Sequence, residues 1–107
     1  MIPYEGRRAV YEAAIDKFGQ DLQIWKAVEE MAELTKELAK HQGGNYDSRS
    51  RDRLVDEIAD VTIMVEQLRI IFGVNVSVQD RMDFKVCRLA DRVGMSFIPE
   101  AREAFNV

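Results

Sequence analysis

One cysteine, Cys87, and one histidine, His41, are all the chain has of either. That excludes an internal disulfide framework and leaves a Cys/His zinc site short of ligands. It suits a reducing, cytoplasmic setting. The two prolines, Pro3 and Pro99, stand near the ends, so nothing between them forbids helix. Charge interrupts every apolar run well short of a membrane span. The opening stretch MIPYEGRRAV carries no apolar segment of the secretory kind. Basic residues are outnumbered 15 to 19, for a net charge of −4 and a pI near 5.0. Such a balance argues against non-specific binding to nucleic acid or to an anionic membrane.

What remains is 107 residues, 47% hydrophobic and 32% charged, without repeats or low-complexity segments. That length fits a single domain, 1–107, with a modest core that an oligomer would enlarge. Apolar spacing and glycine punctuation predict four helices and an all-α fold. The first spans Tyr4 to Phe18 and stops at Gly19. A second runs from an N-cap at Asp21 to about His41. GGNYDS, Gly43 to Ser48, is the clearest loop. The third runs from about Ser50 to Phe72. Ser77 and Asp80 have capping-box spacing for a fourth helix that ends at Gly94. GVNVSV alternates like a strand but is too short and lacks a pairing partner. The tail, MSFIPEAREAFNV, would add a short helix or dock on a partner. Short connections between long helices imply antiparallel neighbours in a four-helix bundle.

At about 100° per residue, Ile24, Val28, Met31, Thr35 and Leu38 form one stripe of the second helix, the expected core side. Glu30, Glu33 and Glu37 gather on the other side and read, alone, as a solvated face. The third helix differs. Leu54, Ile58, Val61, Val65, Leu68 and Phe72 form one stripe, and Val55, Ala59, Ile63, Met64, Ile70 and Ile71 carry apolar surface almost all the way round. A helix of that kind is expected to be mostly buried. Glu57 falls inside its apolar sector and Asp60 at the margin. A carboxylate there needs a cationic partner, a metal or a proton.

Glu30 and Glu33 share one helix face, as do Glu57 and Asp60. Folding the chain back through the glycine loop brings the two pairs to one depth. Four converging carboxylates repel unless a cation joins them. All-oxygen ligation favours Mg²⁺, with Mn²⁺ as its substitute. Mg²⁺ commonly keeps waters and accepts substrate phosphate oxygens, which points to phosphoanhydride chemistry. A di-iron carboxylate bundle needs Glu-x-x-His on two helices, and His41 lies in no such motif.

EEMAE, with Glu29, Glu30 and Glu33, followed by EIAD, with Glu57 and Asp60, resembles the EExxE…ExxD signature of MazG-like nucleotide pyrophosphohydrolases of the all-α NTP pyrophosphatase superfamily. The likeness covers roughly Phe18 to Arg92 and is closest to short single-domain bacterial and phage members. It implies a four-helix bundle completed by assembly into a homodimer or homotetramer. It implies Mg²⁺-dependent hydrolysis of a nucleoside triphosphate to monophosphate and pyrophosphate. By motif position Glu30, Glu33, Glu57 and Asp60 would be metal ligands, and Glu29 a supporting residue. Where relatives acting on dCTP-like substrates or phosphoribosyl-ATP often carry an aromatic after ExxD, this chain has Thr62, Ile63 and Met64. That counts against phosphoribosyl-ATP.

The expected chemistry is in-line attack of an activated water on the α–β bridge, with Glu30 or Glu33 orienting the water or taking its proton. Lys85, Arg88 and Arg92 share a face of the fourth helix; Lys85 and Arg88 are the candidate phosphate contacts, Arg81 a weaker one. Gln23, two turns before Glu30, is a candidate for the sugar or base. Trp25 is expected in a core or interface, Cys87 as a small apolar residue, and His41 at a helix end near the dipole. The rival reading is a non-catalytic helical interaction module with an acidic partner-binding or metal-binding face. Glu57 separates the two, because a surface-binding module has no reason to set a carboxylate within an apolar stripe.

Overall fold

A computed structural model describes residues 1–44 and 46–95, and these residues form four helices: α1 Tyr4–Phe18, α2 Gln20–Gln42, α3 Ser48–Ile71 and α4 Asn75–Arg92. Among the described residues there is no strand. The fold is therefore all-α, as expected. No helix among them is long and apolar enough to cross a membrane. Two compact units emerge, Met1–Gly73 and the part from Val74 onward. Most of the tail expected to form a helix or dock lies outside the described residues.

Local chemistry sets the breaks. Pro3 stands just before α1, where its missing N–H costs nothing. Gly19 divides α1 from α2 in one residue, at φ 90° and ψ 151°, a conformation only glycine adopts without strain. Its N–H closes α1 on the Ile15 carbonyl at 2.8 Å, and its own carbonyl accepts from Gln23 N–H at 3.2 Å. Helix α2 thus starts before Asp21, which lies in its first turn rather than at its cap. Asp47 caps α3, its side chain accepting from Ser50 N–H at 2.7 Å. Helix α4 starts earlier than the Ser77 capping signal, at Asn75 after Val74, so GVNVSV enters a helix.

In the first unit α2 and α3 form an antiparallel hairpin, and α1 packs on both. The inward faces are marked by Gln23, Ala27 and Glu37 on α2 and by Ser50, Met64 and Gln67 on α3. Two expectations are corrected here. The stripe expected as the α2 core is turned out, with Val28, Met31 and Leu38 exposed. The side expected to be solvated supplies buried Glu37 and half-buried Glu30. The reason is across the seam: α3 presents Arg53, Asp60 and Gln67 there, so the polar sides of the two helices match. Nor is α3 mostly buried, since Val55, Ile58, Ile63, Val65 and Phe72 are exposed. Two neighbouring helices cannot cover an apolar surface that runs round the whole helix.

Among the described residues of the second unit the one helix is α4. Its phenyl ring at Phe84 lies under two guanidinium groups, Arg81 at 5.9 Å and Arg88 at 6.0 Å. Ala90 is buried, and its carbonyl accepts from Met95 N–H at 2.9 Å.

Candidate metal centre

The seam between α2 and α3 carries three polar crossings, spaced seven residues apart on each helix. Gln23 Nε2 donates to Gln67 Oε1 at 2.6 Å, and both side chains are buried. Glu37 meets Arg53 Nε at 3.3 Å and Lys40 Nζ at 3.9 Å. Between these crossings, Glu30, Glu57 and Asp60 each bring one carboxylate oxygen within 4.8 Å of the others. Two helical turns on either side fix the depth, and the i, i+3 spacing of Glu57 and Asp60 aims both at α2.

This group is electrostatically unfinished. Glu57 Oε2 is buried without a hydrogen-bond partner, an arrangement that costs free energy while the oxygen is charged. Desolvation, then the charges of Asp60, Glu30, Glu33 and Glu37, hold the Glu57 carboxyl above the usual carboxylate range. Asp60 is also pushed up, first by desolvation, then by the charges of Glu30 and Asp56 and by a hydrogen bond with Glu30; Lys26 opposes these. Lys26 Nζ lies 3.1 Å from Glu30 Oε1 and 3.9 Å from Glu29 Oε2. One ammonium therefore serves a group with a surplus of negative charge. The donor set, all carboxylate oxygen, fits a hard divalent cation. The orphaned Glu57 oxygen is the atom such an ion would satisfy.

Of the four expected ligands the structure brings together three. Glu33 is exposed and stands outside the close group, yet its charge reaches Glu57. Glu29 is exposed and lies 3.9 Å from Lys26 Nζ. Gln23, the candidate for the sugar or base, is buried and its amide nitrogen is bonded to Gln67. Lys85 and Arg88 are exposed on α4. Trp25, expected in a core or interface, is 69% exposed. With Phe18, Leu22, Gln23, Lys26, Glu29 and Met64 it lines an open cleft of about 420 Å³. His41 packs edge-on against Tyr46, with ring centroids 4.5 Å apart, and Cys87 is a half-buried free thiol.

One contributor, Gln67, escapes the sequence reading, and another, Lys26, reads there only as a possible surface partner. Gln67 carries a usable signal, seven residues after Asp60 on the same face. Lys26 reads as an ordinary i, i+4 surface partner of Glu30, and only the burial of Glu30 gives it weight. No family model, curated protein or solved structure matches the chain.

Proposed function

We propose that the chain is a Mg²⁺-dependent nucleoside triphosphate pyrophosphohydrolase that releases the monophosphate and pyrophosphate. The observation that carries this reading is the meeting of Glu30, Glu57 and Asp60 across two helices around the unpartnered, buried Glu57 Oε2. A solvated acidic face has no such atom.

Glu30, Glu57 and Asp60 would hold the ion. When bound, Mg²⁺ (or Mn²⁺) supplies charge neutralisation for phosphate oxygens and lowers the pKa of a water. Glu33, exposed and outside the close group, would take the proton from the attacking water, the role it shares as a candidate with Glu30. The water oxygen bonds to the α-phosphorus while the bond from that phosphorus to the α–β bridging oxygen breaks, and the bridging oxygen leaves with pyrophosphate, carrying the electron pair. Lys26 and Glu29 hold Glu30 in place. The cleft at Trp25 and Phe18 opens beside the Lys26–Glu30 pair and is large enough for a base.

The test is pyrophosphate release with Mg²⁺ from a panel of ribo- and deoxynucleoside triphosphates, comparing the native chain with Glu57→Gln. Helicity by circular dichroism checks that both are folded. Release from one or a few nucleotides, lost in the variant, is the expected result. A folded native chain that releases none from any nucleotide overturns the proposal and favours the interaction module.

A further inference from the structure

Lys26 touches both the carboxylate group and the cleft beside it. Its ammonium lies 3.1 Å from Glu30 Oε1, and its side chain lines the cleft with Phe18, Leu22 and Trp25. Along α2 it stands one turn before Glu30, and Glu33 stands nearly one turn after, so the three share one edge of the helix. Its charge also acts on Asp60, across the seam on α3. The two members of the Lys26–Glu30 pair are held unequally. The Glu30 side chain is 14% exposed and the lysine side chain 49%. The carboxylate is confined at the seam, whereas the ammonium rides on a flexible four-carbon stem with water on its open side. Arg53, which also reaches the seam, is taken by Glu37 at 3.3 Å.

We propose, resting on the metal-dependent reading above, that Lys26 is a phosphate-binding residue whose ammonium exchanges Glu30 for a phosphate oxygen when a divalent cation occupies the carboxylate group. Charge favours the exchange. Three carboxylates leave a surplus that one ammonium does not answer. A divalent cation answers most of it, and an ammonium 3.1 Å from one of the ligand oxygens then lies beside a like charge. Place favours it too. One end of the lysine's swing is at Glu30 and the other is in the cleft. A nucleotide with its phosphates at the carboxylate group and its base in the cleft has to lead its phosphate chain past this stem. The chemistry also suits. An ammonium offers three donors and has no planar geometry to satisfy, so it follows a phosphate oxygen as a point charge. It offsets the repulsion that exposed Glu29 and Glu33 would exert on an anionic chain at this edge. A lysine that only braced Glu30 would have the opposite effect on the ion. Losing a brace weakens metal binding, whereas losing a competitor for Glu30 strengthens it.

Isothermal titration of Mn²⁺ into the full chain, without nucleotide, separates the two. Lys26→Met is expected to tighten Mn²⁺ binding about 3- to 10-fold, because a competing charge leaves Glu30. With Mn²⁺ saturating, the same variant is expected to weaken binding of inorganic pyrophosphate about 10-fold. Lys26→Arg is expected to recover most of that loss. Lys26→Gln, run alongside, should behave as Lys26→Met, and circular dichroism should show native helicity in each, since the side chain is half exposed. Mn²⁺ binding that is unchanged or weakened in Lys26→Met and Lys26→Gln overturns the proposal, because the lysine then does not compete for Glu30. Tighter Mn²⁺ binding with unchanged pyrophosphate binding overturns it as well, because the ammonium is then a counter-ion alone. A native chain that takes up no Mn²⁺ overturns the metal reading itself and this inference with it. Where the native chain does bind Mn²⁺, either failure of the variants overturns this inference alone.

Discussion

The two sides of the α2–α3 hairpin are made from the same helices yet handle burial in opposite ways. On one side, chemically matched polar groups are brought together and left short of positive charge. On the other, apolar groups are left short of cover. On the proposed reading the first deficit calls for a small hard cation; the second is an exposed apolar surface. The lesson is that exposure alone does not distinguish a site from a surface; the kind of unsatisfied group does.

The largest expected effect breaks the polar side. Glu57→Gln should lower pyrophosphate release by about 100-fold or more, since it removes a charged ligand from the group. The same substitution should raise the metal-free melting temperature, because it removes the carboxylate that is repelled and desolvated there. At Mg²⁺ about 100 times its dissociation constant the native protein should gain about 2.7 kcal/mol, and Glu57→Gln should not. A calorimetric scan in chelator and in excess Mg²⁺ checks both; an equal metal-induced rise in the variant would refute the assignment.

Acidity sharpens the same contrast. Glu57 and Asp60 hold protons above the usual carboxylate range, so the fold binds more protons than the unfolded chain in that window. Their contribution to metal-free stability is therefore favourable below it and is lost as pH rises from the ordinary carboxylate value through the raised one. Metal affinity should rise across the same window, since the ion needs the ionised forms. The measurement is the native melting temperature minus that of Glu57→Gln as a function of pH in chelator. A difference that does not vary with pH would remove this account.

Smaller effects lie along the seam. Arg53→Met should cost about 1–2 kcal/mol by leaving buried Glu37 with only the distant Lys40; urea denaturation measures it. On the apolar side Thr35→Val should stay within about 0.5 kcal/mol, because the hydroxyl bonds within its own helix. A cost above about 1 kcal/mol there would mean that the hydroxyl has another partner.

Helix number, type and most boundaries were legible in apolar spacing and in Gly19, Gly73 and Gly94. So was the approach of the Glu30 pair to the Glu57 pair, which needs only equal distances from the loop. Which way α2 turns was not legible. Its apolar stripe is the stronger signal on its own, and it loses because Gln23, Glu30 and Glu37 each find a matched residue seven positions apart on α3. Single-helix periodicity cannot register a pairing of that kind. The separation of Glu33 from the other three carboxylates escaped for a related reason. An i, i+3 pair shares a face broadly, but α3 meets only the Glu30 edge of it.

The three seam crossings also fix alignment. One is an amide pair, one a carboxylate group and one an ion pair, so they are not interchangeable. Sliding α3 by seven residues would set Gln23 against Asp60 and Glu30 against Arg53, and would leave Glu37 facing the loop at Tyr46. A slip of one heptad would keep the apolar positions facing the same way, at the loss of about 10 Å of overlap at the helix ends. Here the rungs act as a key with three distinct teeth, and only one setting engages all of them. Polar groups that add little net stability thus determine which of several near-equivalent hairpins the chain adopts.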